Sequence, residues 1–144
     1  MADALLSTTV IADELVAGLA AFLPAGVGAY SVAAVESATR PFVVVAPTWP
    51  HLQQWSLSGS NDLNGLVVTT YSVHDTLPQA SSLRDLVRTW FVGTDPDSGS
   101  WAYDITLTGL SVLRRVVERS IDPQIVAQVP QAVEAYRLTL ARGA

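Results

Sequence analysis

A strand that leads almost directly into a capped helix is the feature that most constrains the fold of this 144-residue chain. The segment from Leu66 to Val73 is rich in β-branched residues, which predicts a strand. Thr76 and Gln79 then form a capping-box pattern, and the next apolar residues recur on one helical face: Leu83, Leu86, Val87, Trp90 and Phe91. Gly93 predicts the end of this helix. The unit indicates a domain in which a helix packs on a sheet.

An earlier helix is indicated by apolar residues at helical spacing: Ile11, Leu15, Leu19 and Phe22. Thr8 or Thr9 supplies its cap, and the helix ends before Pro24. Strands are predicted from Ala29 to Val35 and from Phe42 to Ala46. The second of these opens on a run of four apolar residues, which is typical of a strand covered on both faces.

The segment from Pro47 to Asn64 is predicted to be a long loop or hairpin arm, because Pro47 and Pro50 cannot continue a sheet ladder. It carries two tryptophans, Trp49 and Trp55. They either pack locally to support the loop or anchor a partner, because aromatic residues are enriched at binding hot spots. We favour a partner, since the two prolines stiffen the arm and lower the entropy cost of presenting Trp49.

The C-terminal half is predicted to be rich in strands. An alternation of apolar residues begins at Tyr103, and a bulge at Gly109 would join it to the next segment in one long strand. A helix from Leu110 to Arg119 is the alternative, because its apolar residues also fit a helical period. A connection interrupted by prolines, from Ile121 to Gln131, leads to a last strand from Val133 to Leu140. These elements predict an α+β fold, an α/β sandwich with a mostly antiparallel sheet of about five strands flanked by two helices.

Composition excludes several classes of function. The chain has no Cys, so disulfides, thiolate catalysis and Cys-ligated metals are excluded. Its cations are eight Arg against 13 acidic residues, and the net charge of -5 argues against wrapping nucleic acid or adsorbing to an anionic membrane. No basic region precedes the first apolar stretch, and no run is long enough to span a membrane. We expect one soluble domain over residues 1–144.

No catalytic or metal-binding constellation is predicted. The two imidazoles, His51 and His74, lie in different predicted elements, and the chain contains no Gly-x-Ser-x-Gly nucleophile. The acidic loop from Thr94 to Ser100, counted from Asp95 as its first ligand position, has Gly at the fifth position where an EF-hand needs it at the sixth, and it has Thr106 in place of the final Glu. We therefore predict a protein that is not an enzyme and has no catalytic residues, no metal and no cofactor.

The order of these elements resembles that of the tail terminator proteins of long-tailed bacteriophages. The resemblance covers most of the chain: a helix, two strands ending in Pro41–Val45, the strand and helix of Leu66–Val92, a long strand, and a closing strand Ala132–Leu140 that contains Tyr-Arg-Leu-Thr-Leu. It implies a subunit of a ring, a hexamer in that family, that caps the tail tube, ends tail elongation and docks the tail to the head connector. The segment from Thr48 to Asn64 is longer than in the minimal family pattern.

The resemblance also implies partners and a location. The partners are further copies in the ring, the major tail tube protein, and the head-tail connector or head-closure protein. The location is the neck of the virion, with the host cytoplasm during assembly. An acidic lumen would repel phosphates, so the genome DNA would pass without specific binding. The alternatives are a head-closure or head-tail adaptor protein of the same neck and, from another class, a small ligand-binding or hydrolytic domain.

Two charged groups are candidates for contacts between subunits. Arg114, Arg115 and Arg119 form a basic group, which is either a solvated strand face or part of a charged interface. Asp95 and Asp97 are their candidate partners on a neighbouring copy, because a ring contact joins two different patches. With Trp49 and Trp55, these residues make up the predicted interface set.

Overall fold

The computed structural model describes residues 7–32, 38–49 and 63–142. These residues form two helices and five strands: α1 Thr8–Phe22, β1 Gly28–Ser31, β2 Phe42–Thr48, β3 Leu63–Val73, α2 Leu77–Val92, β4 Leu110–Val126 and β5 Val129–Arg142. The strands form one sheet in the order β1-β2-β3-β5-β4, in which β1 and β2 are parallel and the other three pairs are antiparallel. The predicted α+β fold is confirmed. No helix in the described ranges is both long enough and apolar enough to cross a membrane.

The N-cap of helix α1 lies before the predicted cap residues, Thr8 and Thr9. The N-cap is Ser7, whose Oγ accepts a hydrogen bond from the backbone N–H of Val10 at 3.5 Å. The predicted caps, Thr8 and Thr9, are instead the first two helical residues, so that prediction was wrong. The helix ends at Phe22, before Pro24, as predicted.

Helix α2 begins and ends at the predicted signals. The hydroxyl of Thr76 accepts a hydrogen bond from the backbone N–H of Gln79 at 3.3 Å and donates one to its side-chain Oε1 at 3.0 Å. At the other end the N–H of Gly93 donates to the carbonyl of Thr89 at 2.9 Å. A Cβ at Gly93 would overlap that carbonyl oxygen, so the helix end requires the absence of a side chain.

Both helices pack on the same face of the sheet, which we call the inner face. Helix α1 buries Ile11, Leu15 and Leu19, and helix α2 buries Leu83, Val87, Trp90 and Phe91. They meet inward-pointing strand residues in one core: Val43, Val45, Leu66, Val68, Tyr136, Leu138 and Leu140. The ring of Phe91 is stacked on that of Tyr136, with centroids 4.3 Å apart. The opposite side, the outer face, is covered by neither helix.

The strands around the predicted arm differ from their predicted bounds. Strand β1 ends at Ser31, and residues 33–37 lie outside the described residues. Strand β2 continues through Pro47 to Thr48, pairing with Val68 and Val67 of β3, so the prediction that Pro47 ends it was wrong. Since β1 reaches only as far as Val45, β2 is an edge strand beyond that point, where a proline is tolerated.

The C-terminal half forms one long hairpin. Gly109 has φ +75° and lies in a tight turn before β4, so the predicted strand through a bulge at Gly109 was wrong. The alternative helix from Leu110 was also wrong, because β4 begins there. The predicted connection from Ile121 to Gln131 is instead part of β4 and β5, joined by Ala127 and Gln128 at positive φ. Register shifts in β4 accommodate the extra residues, including those between Ile121 and Gln124.

Candidate interface

The outer face of the sheet carries a shallow groove of about 470 Å³. Alternate residues of the three strands β3, β4 and β5 line it with mostly apolar side chains: Val67, Thr69, Tyr71, Ile121, Val133 and Ala135. The sheet register places Thr69 opposite Ala135 and Tyr71 opposite Val133, so these side chains are direct neighbours. Neither described helix packs on this groove, so its apolar side chains lie outside the core that the two helices cover.

The outer face is basic, although the whole chain is acidic. Arg137 donates two hydrogen bonds of 2.9 Å to the carboxylate of Glu118, and this pairing lowers the pKa of Glu118 and raises that of Arg137. Arg114 and Arg119 pair in the register with Thr139 and Ala135, which places both on the outer face. Arg119 borders the groove, and both side chains are exposed. The outer face of β4 and β5 therefore carries three arginines and one glutamate.

Arg115 lies on the face opposite to the other two arginines: strand alternation separates it from Arg114, and the register shift between Val117 and Arg119 separates it from Arg119. It is only 6% exposed and lies on the inner face opposite Leu138. Its guanidinium lies 5.0 Å from the ring centre of Trp101 and donates to the carbonyl of Tyr103 at 2.7 Å. Burial lowers the pKa of Arg115, against the attraction of Asp104. Arg115 thus holds the segment before β4 within the subunit, and its predicted role at a subunit interface gains no support.

The predicted acidic partners lie in an exposed turn. The carboxylate of Asp95 accepts a hydrogen bond from the backbone N–H of Asp97 at 2.8 Å. The backbone of Asp95 also bonds to Ser100 at 2.7 Å and to Gly99 at 2.8 Å, and Gly99 has φ +73°. This is local turn chemistry. Within the described part of the chain, no group of three or more His, Asp or Glu residues is placed to hold a metal ion.

Trp49 follows β2 and is half-buried against the core. The prediction that Trp49 is presented to a partner is therefore not supported, because the continuation of β2 past Pro47 carries the indole back onto the domain. Trp55 and the rest of the predicted arm from residue 50 to residue 62 lie outside the described residues. Its last two residues, Leu63 and Asn64, begin β3.

A buried polar cluster under α2 was not predicted from the sequence. Glu134 is completely buried on the inner face and accepts hydrogen bonds from the hydroxyl of Tyr136 at 2.7 Å and from Nε of Arg88 at 2.7 Å. A second bond joins Nη2 of Arg88 to the other carboxylate oxygen. The hydroxyl of Thr70 donates to the backbone carbonyl of Glu134 at 3.0 Å. The cluster fixes α2 to the centre of the sheet.

The cluster shifts the ionisation of its members in opposite directions. Burial pushes the pKa of Glu134 upward, but hydrogen bonds from Arg88, Tyr136 and Ser120 and the charge of Arg88 outweigh it, so the pKa is lowered. Burial and the neighbouring carboxylate raise the pKa of Tyr136. Glu134 is therefore a charged group at neutral pH that neutralises Arg88 inside the fold. The cluster has the partners of a structural ion pair.

Comparison with known proteins gives no family: no family model matches the chain, and no curated protein matches it.

Proposed function

We propose that this chain is a structural subunit of a bacteriophage neck, namely a tail terminator that forms a ring. In this proposal the ring caps the tail tube, ends tail elongation and docks the tail to the head connector. The subunit performs no catalysis and needs no cofactor. Its partners are its own copies, the tail tube protein and the connector.

The observation that carries this proposal is the uncovered apolar groove on the outer face. The two described helices lie on one side of the sheet, which leaves its second side available to another surface, and exposed apolar patches mark interaction sites. In a ring each subunit offers two different patches to its two neighbours. A subunit whose described helices lie on one side of the sheet offers two such patches, the helix layer and the outer face. The order of the elements, which resembles that of the tail terminator family, supports a tail terminator as the kind of ring.

The charge of the chain agrees with passage of DNA through such a ring. The net charge of the chain is -5, while the outer face of β4 and β5 is basic. The rest of the chain therefore carries a net charge more negative than that of the chain as a whole. If the basic face is turned toward a neighbouring subunit, the acidic remainder is left for the lumen and the outside. Phosphates would then be repelled from the wall of the channel.

A stop codon in the gene, in the phage that encodes the chain, tests the proposal. We expect heads filled with DNA, together with unattached tails whose lengths are longer and more variable than those of the wild type. A plasmid copy of the gene should restore both tail length and plaques. Electron micrographs of the lysates provide the measurement.

The same micrographs distinguish the alternative functions. Tails of uniform wild-type length that fail to join heads would contradict the terminator function and favour the head-closure or adaptor protein. Virions of normal shape and number would contradict a role in the neck altogether.

A further inference from the structure

We infer that the ring contact is formed by α1 of one subunit lying in the outer-face groove of the next, with Asp13 of the first subunit opposite Arg119 of the second. This inference rests on the proposed function and specifies its subunit interface. The occupant of the groove is therefore a second copy of this chain.

The solvent side of α1 has the composition of a buried contact. Its exposed residues from Val10 onward are small or apolar apart from one carboxylate: Val10, Asp13, Ala17, Ala20 and Ala21. Val10 is 44% exposed. A helix that borders water normally shows polar and charged side chains on that side. Alanines at these positions would let the helix approach a sheet closely.

The solvent side of α2 provides the contrast within the same subunit. Its exposed residues are mostly polar: Pro78, Gln79, Ser82, Asp85 and Thr89. The hydroxyl of Thr89 donates to the carbonyl of Asp85, and Asp85 also pairs with Arg84. This side is suited to water. Of the two described helices, α1 is therefore the one that fits an apolar groove.

Charge complementarity favours a second copy as the occupant. Asp13 and Arg119 are both exposed, and neither has an ion-pair partner among the described residues. The basic outer face attracts an acidic surface, and the chain itself is acidic. Helix α1 carries two acidic residues, Asp13 and Glu14, and no basic residue. The carboxylate of Glu14 already accepts a hydrogen bond from the hydroxyl of Thr108 at 2.7 Å. Asp13 is left as the anion that a neighbouring Arg119 can pair with.

The dimensions of the two surfaces agree. From Val10 to Ala21 the helix rises about 16 Å, at about 1.5 Å per residue. The groove crosses three strands, which span about 10 Å between the outermost two at about 4.8 Å per spacing. Three turns of helix are thus long enough to cover the groove. Asp13 lies near the N-terminal end of these turns, and the proposed contact places it beside Arg119 at the charged edge of the groove.

The two surfaces cannot meet within one subunit, because α1 lies on the inner face and the groove on the outer face. The contact therefore joins different copies and repeats in one direction, helix layer on sheet, which is the heterologous geometry from which rings are built.

Disulfide trapping is a direct test, because the chain contains no cysteine of its own. Ala17→Cys and Thr69→Cys would be combined in one chain and assembled on tails in phage-infected cells. Mild oxidation should then give a ladder of covalent multimers on a denaturing gel. Each single-cysteine variant should give no species beyond a dimer.

The matched control replaces Ala17 by a position on α2. Ser82→Cys with Thr69→Cys should give no ladder, because α2 does not face the groove in the proposed contact. A ladder of equal yield from the control pair would overturn the inference. The inference would also be overturned if the variant with Ala17→Cys and Thr69→Cys assembled functional tails and gave plaques but formed no cross-links.

Charge reversal gives a second readout that does not depend on cysteine chemistry. Asp13→Arg and Arg119→Asp should each lower plaque formation on complementation by about tenfold or more, and the double variant should recover to within about threefold of the wild type. Asp85→Arg, on the solvent side of α2, is the control and should complement fully. Full complementation by both single variants, or a double variant no better than either, would overturn the pairing.

These outcomes separate the inference from the proposed function. If tails overgrow without the gene but neither test detects the contact, the ring function stands and this interface is wrong. If tails keep their length without the gene, the proposed function fails whatever the cross-linking shows.

Discussion

Replacing Arg88 with Met would leave the carboxylate of Glu134 buried without its cation. Breaking one side of a fully buried ion pair costs about 3 to 5 kcal/mol. We expect the lower end, about 3 kcal/mol, because the Arg88 side chain is 40% exposed and Glu134 keeps the hydroxyl of Tyr136. For a domain of this size the melting temperature should fall by about 10 °C, at about 2 to 4 °C per kcal/mol.

The pH dependence makes this prediction specific. In the wild type the pKa of Glu134 is lower in the folded state than the carboxyl's ordinary 4.5, so its ionised form stabilises the fold at pH values above 4.5. This contribution is lost as the pH falls from 4.5 through the lower pKa of the folded state. In Arg88→Met, burial without the cation should raise the pKa of Glu134, so that protonation relieves the variant as the pH falls from 7. The deficit of the variant should therefore be largest near pH 7 and should shrink toward pH 5.

Thermal unfolding followed by circular dichroism at several pH values measures both effects. Arg84→Met is the matched control, because its partner Asp85 stays in water, and it should cost less than about 1 kcal/mol. Arg88→Met combined with Glu134→Leu should be more stable than Arg88→Met alone, since no unpaired charge is then buried. A loss below about 3 °C, or a deficit that does not change with pH, would refute the reasoning.

Three further changes test the packing. Val87→Asp should abolish soluble expression because it buries an unpaired charge. Ser82→Asp, on the exposed side of the same helix, is the control and should fold normally. A soluble Val87→Asp variant with a native melting curve would contradict the core assignment. Trp49→Ala should lower the melting temperature by several degrees, because the indole packs on the core. An unchanged melting temperature would favour the earlier prediction that Trp49 contacts a partner. Arg115→Met should loosen the segment around Tyr103, seen as faster amide exchange there, and unchanged exchange would remove its holding role.

The elements with strong local signals were predictable from the sequence. Helix α2 has a hydroxyl cap at Thr76, a regular apolar face and Gly93 at its end, and each signal acts within a few residues. The hairpin of β4 and β5 was missed because its turn, Ala127 and Gln128, lacks the Gly or Asn that usually marks positive φ. The bulges of β4 also break the alternation that would reveal a strand.

The candidate site depends on partners that are distant in sequence, so little of it was predictable. Local charge grouped Arg115 with Arg119, but the alternation of the strand and a bulge place them on opposite faces. Glu134 lies in an apolar strand at a position that must be buried, and that conflict was the only local sign of the cluster. Its cation, Arg88, is 46 residues away, and only the packing of α2 on β5 joins them. The outer-face groove likewise exists only after β3 and β5 pair.

The position of the protein in the virion is the measurement that tests the central claim most directly. Intact phage particles would be labelled with gold-coupled antibody raised against the chain and examined by electron microscopy. We expect label at the junction of head and tail, and at the head-proximal end of isolated tails made by a mutant that lacks heads. Label on the capsid shell or at the distal tail tip, or particles that contain none of the chain, would contradict the account.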